Sequence, residues 1–521
     1  MQNNELRYAG LIAACGMNCG LCIGYLREKK PCSGCYKIDD VNKPQGCRSC
    51  IIVNCELLAK TESGFCFECE KYPCARLKNL DKRYRTKYGM SMIENLACIK
   101  DHGLDEFIRL EQDKWKCKVC GAGLSVHRNF CLKCKTMIND ILFERPVGTE
   151  SNEKVCDLIL RKAVKTGYKT TALPFDCKHW TKEFSFIEIE GNQYEIFPSP
   201  FSQPFDNAGE LEVVSTLEEL KTKNIAGKIL LLNGDMTQQQ LFPKDFPFYY
   251  PDEHKIIIDL LEEKQPQAII AITGKDPMCG LNPFPLFEDG SFLIPSAFAD
   301  KTTGEQIARR RGSVNLKIAS GTESTVGRQI IASTNNNGTG KIIVCAHMDT
   351  KYGTTGALDN AAGIEVLLQI MANLKGYIGV YDIEFIPFNG EEYYGVSGQL
   401  EYLKYIEQEQ PEIKLVINID SPGHKASRTA LSSYNFVESK QAWLNTKISE
   451  NEYMEEGPQW YAGDHAMFAF RGIPCITVTS SNLFETVLDL THTSNDTIEN
   501  IDLEILKKTS AFLTKLINDY E

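Results

Sequence analysis

At 521 residues with 24% charged side chains and no apolar run near the ~18 residues of a membrane span, the chain excludes a multispanning membrane protein and exceeds one ordinary core. A prior of ~150 residues per domain implies three or four units. The net charge of −12 is uneven: residues 1–144 hold 23 Lys+Arg against 17 Asp+Glu, a balance of +6, and the rest holds 34 against 52, a balance of −18.

The segment LIAAC (Leu11 to Cys15) places small residues before a cysteine, as a lipoprotein cleavage site does. The apolar stretch from Tyr8 to Ala14 is minimal for a leader and Glu5 cancels Arg7, so a cytoplasmic protein is expected. Sixteen of the 21 cysteines fall between Cys15 and Cys134, mostly as Cys-x-x-Cys, a spacing that favours metal over disulfides. Eleven of them are Cys15, Cys19, Cys22, Cys32, Cys35, Cys47, Cys50, Cys55, Cys66, Cys69 and Cys74. Because eleven does not divide by four, at least three stay free or share a site. The opening Cys15-x3-Cys19-x2-Cys22 also has the spacing of radical cluster enzymes, but those need a following run of parallel βα units, and here Cys32 and Cys35 arrive first.

A longer helical stretch is predicted from Met90 to Glu111. Beyond it, the pairs Cys117/Cys120 and Cys131/Cys134 form two knuckles whose thiolates would surround one tetrahedral ion. Zinc is the expected metal of this head, with iron the alternative. Each tetrathiolate site carries about −2, so three would cancel the +6, and a nucleic-acid partner is not expected. The cluster Arg76, Lys78, Lys82, Arg83, Arg85 and Lys87 reads as a solvated helical face, and is the best candidate surface for a protein or acidic partner.

Residues 1–140 are therefore expected to form a cysteine-rich metal-binding domain, and 141–149, with Pro146 and Gly148, a linker. A helix from Asn152 to Gly167 follows. Residues 184–320, with short apolar runs such as Phe184 to Ile189, Lys228 to Leu232 and Ala268 to Thr273, read as a strand-rich insert. Its tract Pro243 to Pro251 (PKDFPFYYP) is expected to be an exposed loop. From Lys341 onward strands and helices alternate, which predicts an α/β domain over 150–183 and 321–521 with a mainly parallel, doubly wound sheet.

Polar residues gather at the ends of its predicted strands. The strand KIIVCA delivers His347, and Asp349 two residues on can turn toward its ring. Asp359, in GALDNAAG, could cap the next helix or bridge two metals. Glu391 and Glu392 follow IEFIPF, so that one carboxylate can bind metal while its neighbour faces a metal-bound water. Asp420 ends KLVINID, and His492 precedes the final helix. Acids at successive buried strand ends mark the place where an open α/β sheet builds its site.

The ordered series HMD, GALDNAAG, NGEE, NID and HTSNDT, with DHAMFAFRGIPCI before the last, resembles the di-zinc aminopeptidase family that includes leucyl aminopeptidases, glutamate carboxypeptidase and glutaminyl cyclase. The resemblance implies two zinc ions held by His347, Asp359, Glu392, Asp420 and His492, with Asp359 bridging, Glu391 as general base and Asp349 orienting His347. It implies peptide substrates whose free amino terminus sits beside one zinc. Tyr461, Asp464 and His465 are candidates for substrate contact, Tyr461 also for packing. Ser421, Pro422, Gly463 and the order Ser397-Gly398 depart from the family's pattern, and none is expected to touch a proposed ligand. The insert resembles a protease-associated domain through IAGKILLLNGD, QAIIAIT and PSAFADKTTGEQI, and the head is similar to a cysteine-rich prokaryotic domain family of unknown function. Cyclase-like acyl transfer on one metal, carboxypeptidase action and a non-catalytic binding role are the competing readings.

Overall fold

The computed structural model describes residues 10–27, 29–37, 40–117, 121–128, 131–133, 138–244, 246–275, 280–334 and 338–520, which fall into two units, Met1–Asp140 and Ile141–Glu521.

In the first unit the elements are short except for helices α1 (Ala75–Tyr88), α2 (Met92–His102) and α3 (Leu104–Lys114). The stretch predicted as one helix is two, because Gly103 takes φ 85°, ψ 166° and ends α2. Ser91 starts α2 by accepting the Glu94 N–H, within a Ser-x-x-Glu capping sequence. A small core of Ile12, Leu77, Met92 and Leu96 packs with Cys15 and Cys19. The basic cluster lies exposed along α1.

The second unit begins at the segment expected to be a linker, and here the expectation fails. Ile141, Leu142, Arg145 and Val147 are all buried, so the segment belongs to the core. Helix α4 (Glu150–Thr166) follows, capped by the Thr149 hydroxyl at its start and by Gly167 at φ 104° at its end.

Strand β1 (Lys169–Lys182) pairs antiparallel along its whole length with β9 (Ser320–Ser333). Between them β2 (Ser185–Ile189), β3 (Asn192–Pro198), β4 (Phe205–Val214), β5 (Ile229–Leu232), β6 (Ala268–Ile272), β7 (Ser296–Ala299) and β8 (Ser313–Ile318) close a barrel in the order β2-β3-β7-β6-β5-β4-β8. The chain enters and leaves the barrel where the ribbon ends, at Lys182 opposite Ser320.

The ribbon joins β10 (Lys341–His347), β11 (Asp382–Phe388), β12 (Ile413–Ile419), β13 (Thr429–Tyr434), β14 (Met454–Glu456) and β15 (Cys475–Ser480) in an 8-stranded sheet of order β1-β9-β11-β10-β12-β15-β13-β14. Four of its seven strand pairings are parallel and three antiparallel, so the expected parallel majority stands beside antiparallel edges. The strands β11-β10-β12-β15 run parallel, as do β13 and β14, whereas β1 with β9, β9 with β11 and β13 with β15 pair antiparallel. Parallel pairing needs a crossover, supplied here by helices α5 (Gly363–Asn373) and α6 (Ser397–Glu409). Strand β9 returns from the barrel and is free of that requirement. Ile342 to His347 are buried without interruption, the signature of a central strand covered on both faces. Register pairs His347 with Phe388 and Cys345 with Asn418, which aligns the carboxyl ends of β10, β11 and β12. The chain closes with α7 (Leu503–Asn518), which packs on α5.

Candidate metal centre

β10 carries His347 to its last position, and the Met348 N–H then donates to the Phe388 carbonyl (2.7 Å), tying the exits of β10 and β11 together. Asp349 Oδ1 stands 3.8 Å from His347 Nδ1, beyond hydrogen-bond range, while Oδ2 accepts the Glu392 N–H at 3.1 Å. Asp349 thus holds the backbone of Glu392, and its expected close pairing with His347 is looser than the His-x-Asp spacing implied.

Asp359 sits in an irregular turn over Ala357–Ala362, at φ −114°, ψ 86°, and the peptide to Asn360 is cis. The capping role weighed for Asp359 falls to Asn360, whose Oδ1 accepts from Gly363 N (2.9 Å) and Ser421 N (3.2 Å). The Asp496 carboxylate accepts the N–H groups of Leu358 (2.7 Å) and Asp359 (3.1 Å). With its backbone held from outside, the Asp359 side chain is released toward the site. Its Oδ1 lies 2.8 Å from His347 Nε2 and its Oδ2 3.0 Å from His492 Nε2. Asp420 Oδ1 is 3.6 Å from His347 Nε2, and Glu392 Oε1 is 2.9 Å from His492 Nε2.

The site therefore resolves into two triads, His347/Asp359/Asp420 and Asp359/Glu392/His492, each with its ligand atoms within 4.8 Å of one another. Asp359 belongs to both. Buried His347 Nε2 and Glu392 Oε1 lack an aligned hydrogen bond despite these short contacts, an arrangement that costs free energy unless the atoms converge on something else. Imidazole with carboxylate is a donor set that suits zinc. The residues fit such an ion.

Burial shifts several of the ionisable groups here. It drives the carboxyl of Glu391 well above the usual carboxylate range, raises Asp420, and pushes Asp464 up to about 7. Burial alone would raise Asp359 too, but the two imidazoles outweigh it and hold this carboxyl below the ordinary range. In return His347, which burial alone would lower, is raised by Asp359 and Asp420. Lys351 supplies a nearby cation: its Nζ donates to the Glu392 carbonyl (3.0 Å) and is 2.9 Å from the carboxylate of Glu288, a residue between β6 and β7.

A cavity of ≈ 770 Å³ opens over the triads, lined among others by Asp359, Glu391, Glu392, Asp420 and His492. An adjoining one of ≈ 530 Å³ is walled by Phe242, Phe246, Phe248, Tyr249 and Tyr461, with Glu391 and Asp464 on its wall. The tract expected to be an exposed loop therefore faces the site, an outcome its aromatic content signalled. Tyr461 is half exposed and stacks on Phe470 (5.3 Å between centroids). Asp464 is buried and accepts Gln399 Nε2 at 2.8 Å. His465 was a candidate for substrate contact, but it has no exposed surface and its Nε2 lies 2.8 Å from the Trp460 carbonyl, so it is part of the packing. Asp496, Glu288 and Lys351 went unnoticed in the sequence, although Asp496 is the aspartate of THTSNDT.

In the first unit Cys55, Cys66, Cys69 and Cys74 line one small cavity of ≈ 40 Å³. Cys19 and Cys35 bring their sulfurs to 3.4 Å, Cys15 is buried, and Cys22, Cys32, Cys47 and Cys50 are half-buried. Cys117 and Cys131 are buried, whereas Cys120 and Cys134 lie outside the described residues.

Residues 329–517 match Peptidase family M28. Aminopeptidase YwaD of Bacillus subtilis (strain 168) is 25% identical over 308 residues, 57% of this chain and 63% of that protein. The chain thus spans less than two thirds of this curated relative. Two solved structures share the fold: the aminopeptidase from Aneurinibacillus sp. strain AM-1 (21% identity, TM-score 0.59, covering 73% of this chain and 91% of that one) and BSAP, a zinc aminopeptidase from Bacillus subtilis (21%, 0.56, 73% and 92%). Residues 329–517 are thus similar to Peptidase family M28, and the solved structures share the fold of the chain around them.

Proposed function

We propose that the second unit is a zinc-dependent exopeptidase, an aminopeptidase or dipeptidase, that uses a co-catalytic pair of zinc ions with Asp359 between them. One observation carries the reading: the two oxygens of Asp359 face two different histidines, at 2.8 and 3.0 Å, and the atom sets around them are otherwise separate. A carboxylate placed so is the natural bridge of a two-metal site. His347 and Asp420 would hold one zinc, Glu392 and His492 the other.

When bound, such a pair supplies Lewis acidity to the attacking water and the scissile carbonyl. Glu391 belongs to neither triad and lines both cavities. It takes a proton from the water and returns it to the departing amine, and the burial that raises its carboxyl suits it to both transfers. Asp349 and Lys351 hold Glu392 by its N–H and its carbonyl.

The barrel acts as a protease-associated insert that shapes access, a reading supported by its tract Phe242–Tyr249 on the cavity wall. The cysteine-rich unit binds zinc of its own, with iron the alternative. The Cys-x-x-Cys spacing carries that assignment; Cys55, Cys66, Cys69 and Cys74 share one cavity, but among the described residues no three thiols converge as a finished metal site would require.

The test is a panel of free-amine and N-blocked peptides assayed on the full chain, with zinc counted in wild type and in Asp359→Asn. Cleavage confined to free-amine peptides and loss of two zinc ions in the variant are expected. Equal cleavage of N-blocked peptides, or loss of a single ion, would count against an exopeptidase with a bridging aspartate. The latter outcome would point to cyclase-like use of one metal.

A further inference from the structure

Three loops carry the site: the exit of β10 with His347, the turn before Asp359, and the exit of β11 with Glu391 and Glu392. A segment outside the family match touches all three. Arg145 is buried with no exposed surface, and the acceptors of its guanidinium are main-chain carbonyls. Nε donates to Met348 (2.6 Å), between His347 and Asp349. Nη1 donates to Thr355 (2.7 Å) and Nη2 to Gly356 (3.1 Å), just before Asp359. The Arg145 N–H itself donates to Thr350 Oγ1 at 2.9 Å. Asn152 continues the line: its Nδ2 donates to the Arg145 carbonyl (3.1 Å), and it exchanges side-chain hydrogen bonds with buried Asn389 (2.8 and 3.0 Å), two residues before Glu391.

A buried arginine is costly unless its fixed fork of donors is matched. Here it is matched by carbonyls that belong to two ligand loops at once. Its charge also sits near four acids of the site region, Asp349, Asp496, Asp359 and Glu392, each of which favours the charged guanidinium against burial. We propose that Arg145, with Asn152, is a positioning residue for the metal centre: it sets the spacing between the His347, Asp359 and Glu391/Glu392 loops, and hence zinc affinity and the placement of the base. The inference rests on the zinc-site reading above, but its primary test needs no substrate.

The experiment measures zinc dissociation constants by chelator competition on the full chain, for wild type, Arg145→Lys, Arg145→Met and Asn152→Ala, beside thermal midpoints of the metal-free proteins. Val155→Ala, a buried change on α4 that removes no hydrogen-bonding group, serves as the structural control. Loss of an outer partner of metal ligands costs about 10- to 100-fold in affinity. A weakening of that size is expected in Arg145→Met, less in Arg145→Lys, which keeps the charge but cannot span the carbonyls. In zinc-saturated protein kcat should fall while KM holds. Guanidinium ion added to Arg145→Ala should recover zinc affinity, and urea should not. If Arg145→Met does not fold, Arg145→Lys and Asn152→Ala carry the comparison. Unchanged affinity in these variants, or an equal loss in Val155→Ala, overturns the proposal. Wild type that binds no zinc at the site overturns the functional reading instead, so the two failures are distinct.

Discussion

Glu391→Gln isolates the chemistry from the metal. Glutamine keeps the size of the side chain and removes only its capacity to take a proton. Because Glu391 is outside both triads, zinc content should stay at the wild-type value. General-base catalysis contributes about 10²- to 10⁴-fold, which at 1.36 kcal/mol per decade is about 3 to 5 kcal/mol of transition-state stabilisation. The carboxyl already resists ionisation through burial, so a neutral amide there should leave the thermal midpoint at or above that of wild type. The assay is kcat/KM on a free-amine peptide with zinc held in excess, with metal analysis and a thermal melt on the same sample. A rate within tenfold of wild type refutes the assignment of the base. Loss of zinc refutes the claim that Glu391 is not a ligand.

Asp496→Ala should leave the Leu358 and Asp359 N–H groups unpaired in a buried turn, at about 1 to 3 kcal/mol each. Melts should show that loss together with weaker zinc retention, and Asp496→Asn, which keeps one acceptor, should be milder. Phe246→Ala with Phe248→Ala opens the apolar wall beside Glu391 and should raise KM for peptides that begin with a bulky apolar residue more than for those that begin with alanine, as initial rates across the series would reveal. Chelation should abolish hydrolysis and lower the thermal midpoint, since a ligand at 100 times its Kd stabilises by about 2.7 kcal/mol. Zinc restoring the melt but not the activity would show that the metal is structural.

The parts legible in advance were those governed by nearby residues. An apolar run of strand length that ends in a polar residue, as at His347 and Asp420, can be read in a few positions because burial and side-chain alternation act locally. Helix α4 was likewise visible from its apolar period and terminal glycine. The same local logic misled at 141–149, where Pro146 and Gly148 have the composition of a linker although Arg145 lies in the core. It also merged α2 and α3 across Gly103, since one glycine in an otherwise helical pattern is often tolerated. The antiparallel edge of an otherwise parallel sheet was hidden for a different reason. The pairing partners of β1 and β9 are set by where the barrel returns the chain, over a hundred residues later.

Asp359 separates the two kinds of knowledge. Sequence by itself determined that an acid stands at the mouth of a buried helix, and that histidines and acids recur in order at later strand ends. Only the tertiary structure decided that Asn360 takes the cap, that Asp496 holds the turn from 137 residues away, and that the two freed oxygens face His347 and His492. A strand end is a property of its own few residues. The partners of a side chain depend on how distant loops are brought together, and that is decided by packing of the whole unit.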